Sequence, residues 1–302
     1  MALMRLSALA TTRWLPVAAV FGSIVSLCIG SSYAKSLFPA LGPSGTTVVR
    51  LALAAAVLWI FWRPWRWPLT ARDAGRIALY GAVLGSMNLL FYLAIARIPL
   101  GLAIAIEFSG PLALAIAASR RAWDFVWIGF ALVGLGLLLP LTPNVASLDP
   151  WGIGFALAAA VMWALYIITG QRTGNVPSGQ ATSLGLAMAA LVVLPFGAGE
   201  AHAVWANPGL LAAGLIVAIL SSAIPYSLEM VALKRLPKQT FGILLSLEPV
   251  VGALAAMAVI GEMLTPIQWG AIASIVVASA GSAMGVPDAA PREAPRPASA
   301  SE

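Results

Sequence analysis

Residues 97–111 read Arg97-Ile98-Pro99-Leu100-Gly101-Leu102-Ala103-Ile104-Ala105-Ile106-Glu107-Phe108-Ser109-Gly110-Pro111, and 138 positions later Arg235-Leu236-Pro237 opens a run closed by Glu248-Pro249. In both, a basic residue and a proline precede an apolar stretch, and a carboxyl followed by a proline interrupts it. The same offset pairs Ala94 with Ala232 and Asp124 with Glu262. Earlier in each half, Pro43-Ser44-Gly45 matches Pro177-Ser178-Gly179 at an offset of 134, so one small insertion accounts for the drift. Chance likeness between two apolar stretches is the bland alternative. Matched arginines, prolines and acids are more than composition, and the chain reads as two copies of one unit.

The surrounding composition says what that unit is. Of 302 residues, 61% are hydrophobic and 9% charged, against about 25% charge in an ordinary soluble domain. The mean hydropathy is +0.94. A soluble enzyme, a nucleic-acid-binding protein and a disordered chain are all excluded. One cysteine, Cys28, and one histidine, His202, leave no internal disulfide and no cysteine- or histidine-rich metal site. No glycine pattern follows a strand, so no ATP-binding motif is present and no cofactor is expected.

Apolar runs predict spans at 15–33, 46–62, 77–95, 101–118 and 125–141, then 151–169, 180–196, 210–233, 240–260 and 266–284. Lipid offers backbone groups no partner, so each span must be a helix or part of a closed barrel. Strict two-residue alternation is absent, so the expected fold is an all-α integral membrane protein of ten transmembrane helices. Its parts are a cytoplasmic N-terminus (1–14), a first repeat (15–141), a second repeat (151–284) and a disordered cytoplasmic tail (285–302). Fourteen of the 17 basic residues fall before the first span, in alternate loops or in the tail; only Lys35 and Arg97 lie in the opposite loops, and Arg50 lies within a span. That asymmetry puts both termini in the cytoplasm and Asp149 and His202 outside. Ser32-Tyr33-Ala34 looks like a signal-cleavage site, but the preceding apolar run is long and its removal would break the repeat. Five spans per copy is odd, so the copies must be inverted, an architecture of secondary transporters with the substrate site between the copies near the midplane.

Intramembrane charges are the candidate site, because each costs about 2.5–3.5 kcal/mol at the bilayer centre. Glu107 and Glu248 each lie about 12 Å of helix inside the membrane at ~1.5 Å per residue. Gly110 is the counterpart of Glu248, one turn from Glu107 on the same face. Pro111 and Pro249 break the helix ladder and free a carbonyl, for a ligand or for a bend. The two carboxyls are either a proton or substrate-amine site, or neutralised groups that hold helices together. Arg50 must pair, snorkel or bind an anion, and Glu107 is its expected partner. Asn88, Tyr92 and Ser109 are either pocket groups or interhelical glue. Tyr226 and Glu229 share the stretch Pro225-Tyr226-Ser227-Leu228-Glu229, where Glu229 either bonds Arg235 or another basic loop residue, or serves transport. Lys35 either contacts substrate outside or snorkels. Trp62, Trp65 and Trp67 read as an interfacial belt.

Several stretches carry a resemblance: Lys35-Ser36-Leu37-Phe38-Pro39, Arg50-Leu51-Ala52-Leu53, Ile98-Pro99-Leu100-Gly101, Glu107-Phe108-Ser109-Gly110-Pro111, Asp124-Phe125-Val126-Trp127, the run 225–236, Thr240-Phe241-Gly242, Glu248-Pro249, and 261–268. Together they resemble the drug/metabolite transporter superfamily, of the ten-helix type with two EamA repeats, up to about residue 285. The likeness is strongest to bacterial inner-membrane exporters of small amino acids. It implies export of homoserine and threonine powered by protons, with no ATP and no nucleic acid as partners. The alternatives are transport of another metabolite or drug in the same superfamily and, more remotely, a membrane enzyme or structural protein. An enzyme would need an acidic metal cluster, a histidine pair or a nucleophile with its base, and the spans carry none.

Overall fold

The computed structural model describes residues 2–118, 124–138, 149–174, 176–236 and 244–285. The loop arginines 120 and 121, Lys238, the first residues of the expected ninth span and the tail with Arg292 and Arg296 lie outside the described residues. The described elements are helical: α1 (Ala2–Lys35), α2 (Phe38–Trp62), α3 (Ala71–Ile95), α4 (Leu100–Glu107), α5 (Ser109–Ala118), α6 (Asp124–Leu138), α7 (Pro150–Arg172), α8 (Ser178–Ala201), α9 (Ala203–Ala206), α10 (Pro208–Ala218), α11 (Ile224–Arg235), α12 (Glu248–Ile260) and α13 (Pro266–Gly285). A 3-10 turn covers Pro64–Arg66 and a π turn, Ile219–Ala223, joins α10 to α11.

Local chemistry explains where these helices begin and end. Thr70 caps α3 by accepting from the Asp73 N–H, Asp149 caps α7 by accepting from Trp151, and Asn207 caps α10, each satisfying donors that a helix start leaves open. Proline sits in the first turn of α2, α7 and α10, where its missing N–H costs nothing. α2 stops at Arg63 and α12 at Gly261, both left-handed, as C-terminal caps commonly are.

Among the described residues, six segments are long and apolar enough to cross a bilayer: Pro16–Lys35, Phe38–Trp62, Ala71–Ile95, Pro150–Arg172, Ser178–Ala201 and Pro208–Ala232. The other expected spans appear as shorter apolar helices. Several boundaries differ from the sequence reading: α2 starts at Phe38, eight residues before the expected 46, and α3 at Ala71, six before 77. Helix α1 starts at Ala2, ahead of residue 15, because residues 2–14 are rich in Ala, Leu, Met and Arg, which favour helix. The fourth span is two helices, since Pro111 cannot donate to the Glu107 carbonyl and the helix breaks at Phe108.

The side-chain distribution is that of a protein in lipid. Ile60, Phe61, Leu132, Leu191 and Phe196 face outward, whereas Arg50, Thr46, Thr47, Ser183 and three glutamates are buried. Trp62, Trp65 and Trp67 are exposed beside the 3-10 turn, as an interfacial belt requires. Inside, α2 runs along α8, α3 packs on α7 and α8, α6 on α13, and α1 on the π turn, α11 and α12. The α3–α8 contact is close because Gly85 has no side chain: a Cβ there would come within 2.7 Å of the Ala189 carbonyl.

Candidate functional site

Helices α1, α2, α3, α4, α7, α11 and α12 converge on one cavity. Its lining brings together Arg50, Asn88, Glu107, Tyr166, Tyr226, Glu229 and Glu248. The space open to water centres is ≈ 30 Å³, enough for about two waters.

Arg50 is 1% exposed, and how it is held follows from a proline. Pro225 has no N–H to give the Ser221 carbonyl one turn earlier. The freed oxygen accepts from Arg50 Nη1 at 3.1 Å, and Ser221 Oγ accepts from it at 3.3 Å. π turns often mark functional positions, and this one presents Ser221 to α2. Arg50 Nη2 donates to Asn88 Oδ1, which also accepts from the Tyr226 hydroxyl at 2.8 Å. The guanidinium lies 4.3 Å from the Tyr92 ring centroid, a cation–π contact. Among the described residues no ion pair joins Arg50 to Glu107. The expected pairing is therefore corrected: Ser221, freed by Pro225, and Asn88 take the guanidinium.

Of the two readings of Glu229, the structure places its side chain on the cavity wall and not on Arg235. Glu229 accepts from Ser23 Oγ at 2.9 Å and from the Tyr166 hydroxyl at 3.2 Å, with no ion pair to Arg235 among those the described residues form. Its face of α11 turns into the bundle, towards α1 and α7. Lys35 neither contacts the cavity nor snorkels free. It forms an ion pair with Glu262 and donates to the Ile98 carbonyl at 3.5 Å, while Glu262 accepts from the Leu100 N–H at 2.8 Å. Tyr92 touches Arg50 from outside the cavity, and Ser109, past the break, does not line it. Pro111 and Pro249 both stand at helix breaks, the latter in the first turn of α12.

Three polar atoms on the cavity wall lack a partner among the described residues: the Ser31 hydroxyl and two on ionisable side chains. Arg50 Nε and Glu248 Oε2 are buried and have no hydrogen-bond partner among the described residues. One is a donor on a cation and the other an acceptor on a carboxyl, and an unpartnered buried polar group costs about 1–3 kcal/mol or more. The sequence reading missed Ser23, Tyr166 and Ser221. The adjacent Ser221-Ser222 in an apolar run, four residues before Pro225, was the available signal for the last.

Known proteins share this chain's sequence and fold. The threonine/homoserine exporter RhtA of Escherichia coli (strain K12) is 46% identical over 274 residues, covering 90% of this chain and 92% of the relative. Its namesake in Salmonella typhimurium (strain LT2) is 45% identical over 272 residues with the same 90% and 92% coverage. The uncharacterized transporter YwfM of Bacillus subtilis (strain 168) is 28% identical over 224 residues, covering 70% of this chain and 72% of its own. A solved crystal structure, 21% identical, shares the fold with a TM-score of 0.62 over 87% of this chain and 95% of that one. Residues 150–284 match the EamA-like transporter family. With that match in the second half and near-full-length relatives that are transporters, the chain belongs to the EamA-like transporter family.

Proposed function

We propose that this protein exports small amino acids, homoserine and threonine among them, across the bacterial inner membrane in exchange for protons. The observation that carries the proposal is the opposed pair of unpartnered atoms, Arg50 Nε and Glu248 Oε2, on one buried cavity. An amino acid is a zwitterion in water, and its carboxylate and ammonium complement that pair with charge-assisted hydrogen bonds. A buried carboxyl without a partner takes either a proton or a cation. Substrate ammonium and proton therefore compete for Glu248, and that competition is the basis of antiport. The names of the two RhtA relatives support the substrate class.

The same reading makes the two halves inverted five-helix repeats that alternate access to the cavity, with both termini cytoplasmic. The helix pairing supports it: α3 packs on α7 as α1 packs on α11, and α4 packs on α7 as α1 packs on α12, the pattern expected when the halves exchange roles. Contacts near helix ends support the alternation of sides. Lys35 with Glu262, Arg97 with Asp149, and the Gly45 N–H with Glu200 join segments that this reading assigns to one side of the membrane.

The excess of carboxyls over arginine in the cavity favours one second reading, export of a cationic metabolite. Proteoliposomes under an imposed pH gradient, offered homoserine, threonine, lysine and a quaternary amine, separate the two. Proton-driven accumulation of homoserine and threonine is expected. Accumulation of the cations alone would replace this proposal with the second reading.

A further inference from the structure

Helix α1 carries Ser23, Ser26, Ser31 and Ser32, and Ser36 follows its last residue. Four of these hydroxyls have partners. Ser23 Oγ donates to Glu229, Ser26 Oγ to the Leu220 carbonyl at 2.6 Å, Ser32 Oγ to the Cys28 carbonyl at 2.8 Å and Ser36 Oγ to the Tyr33 carbonyl at 2.7 Å. Ser31 differs. Its side chain lines the cavity, the residue is 1% exposed, and its Oγ has no partner among the described residues. A helical serine ordinarily satisfies itself on the carbonyl one turn back, so a hydroxyl that forgoes that bond inside a bundle is held for something else.

Its placement says for what. Cys28, one turn before Ser31, lies 3.8 Å from the Glu248 carbonyl, so this face of α1 lies against the start of α12. The cavity wall thus offers a cationic donor on α2, an acceptor on α12 and a hydroxyl on α1, each unpartnered. A zwitterion uses the first two. The third matches a substrate that carries a hydroxyl of its own, since a serine hydroxyl can both donate and accept.

We propose that Ser31 is a specificity-determining residue that recognises the side-chain hydroxyl of the exported amino acid. This rests on the reading of the cavity as an amino-acid site. Homoserine and threonine differ in where the hydroxyl sits, yet both become 2-aminobutyrate when it is removed. That compound isolates the contribution of one hydrogen bond.

The test compares uptake of homoserine, threonine and 2-aminobutyrate by proteoliposomes of wild type and Ser31→Ala. Alanine is the best helix former, and the hydroxyl it removes holds no bond among the described residues, so the thermal midpoint should be equal or higher. Wild type is expected to favour the hydroxyl substrates about tenfold in kcat/KM, a factor set by one well-formed hydrogen bond. Ser31→Ala should bring the ratio close to one, with the loss falling on the hydroxyl substrates. An unaltered ratio in Ser31→Ala overturns the proposal, as does an equal loss on all three substrates or a lowered midpoint, each marking a structural role. A wild type that takes up all three equally overturns it too. A wild type that transports none of them overturns instead the amino-acid reading of the cavity.

Discussion

In the second half of the chain Glu248 stands where the first half has Gly110, and Leu184 stands where the first half has Arg50. Packing explains the first difference. A Cβ on Gly110 would collide with the Ala160 carbonyl of α7, so α5 lies backbone to backbone on its neighbour and has no room for a carboxyl. Glu248 begins α12 facing the cavity, 4% exposed and with one oxygen unpartnered. The second difference is one of partners. Arg50 has Asn88 and the freed Ser221 carbonyl, whereas Leu184 packs against the apolar core. The cavity's arginine thus comes from the first half and its unpartnered carboxyl oxygen from the second. In the function proposed above, a substrate with both signs bridges the two.

Glu248→Gln breaks this division most severely. The amide keeps the shape but binds no proton, so proton-coupled uptake into inverted vesicles should fall to background while membrane insertion is normal. Wild-type coupling in that variant would place the proton elsewhere. Arg50→Lys comes next. A lysine ammonium is a point charge that cannot span Asn88 and Ser221 while leaving an N–H for substrate; KM for homoserine should rise about tenfold or more, the equivalent of one charge-assisted hydrogen bond. An unchanged KM would remove Arg50 from the substrate site. Glu107→Gln should be milder. The residue is buried on the same cavity but makes no ion pair among the described residues, so KM should change by less than about tenfold and coupling should persist. Lys35→Met should be the smallest. Its partner Glu262 is the one lost contact of weight, at side-chain exposures of 20% and 21%. A thermal-melt loss of about 1 kcal/mol or less fits a rim ion pair, with substrate affinity unchanged. A large affinity loss would restore Lys35 as a substrate contact.

Arg50, Glu107 and Glu248 were legible in the sequence because charge inside lipid is expensive, so any that persists invites a functional reading. The helices were legible for the same reason, since long apolar runs leave little else. What was hidden is the azimuth of each helix. Glu229 lies six residues before Arg235, about 9 Å of helix at ~1.5 Å per residue, which suggested the membrane edge. The turn of α11 instead points it at Ser23 and Tyr166. The partner of Lys35 lies 227 residues away, beyond any local pattern. The bond between Arg50 and Ser221 needed both the missing N–H of Pro225 and the packing of α2 on the π turn, and spacing reports only the first.

In the function proposed above, substrate and proton compete for one carboxyl of the second half, Glu248. Proton release on adding homoserine to the purified protein, in weakly buffered detergent solution with a pH-sensitive dye, tests it most directly. Wild type and Glu107→Gln should both release protons in proportion to bound homoserine, and Glu248→Gln should bind homoserine without releasing any. Equal release from Glu248→Gln and wild type would contradict the account.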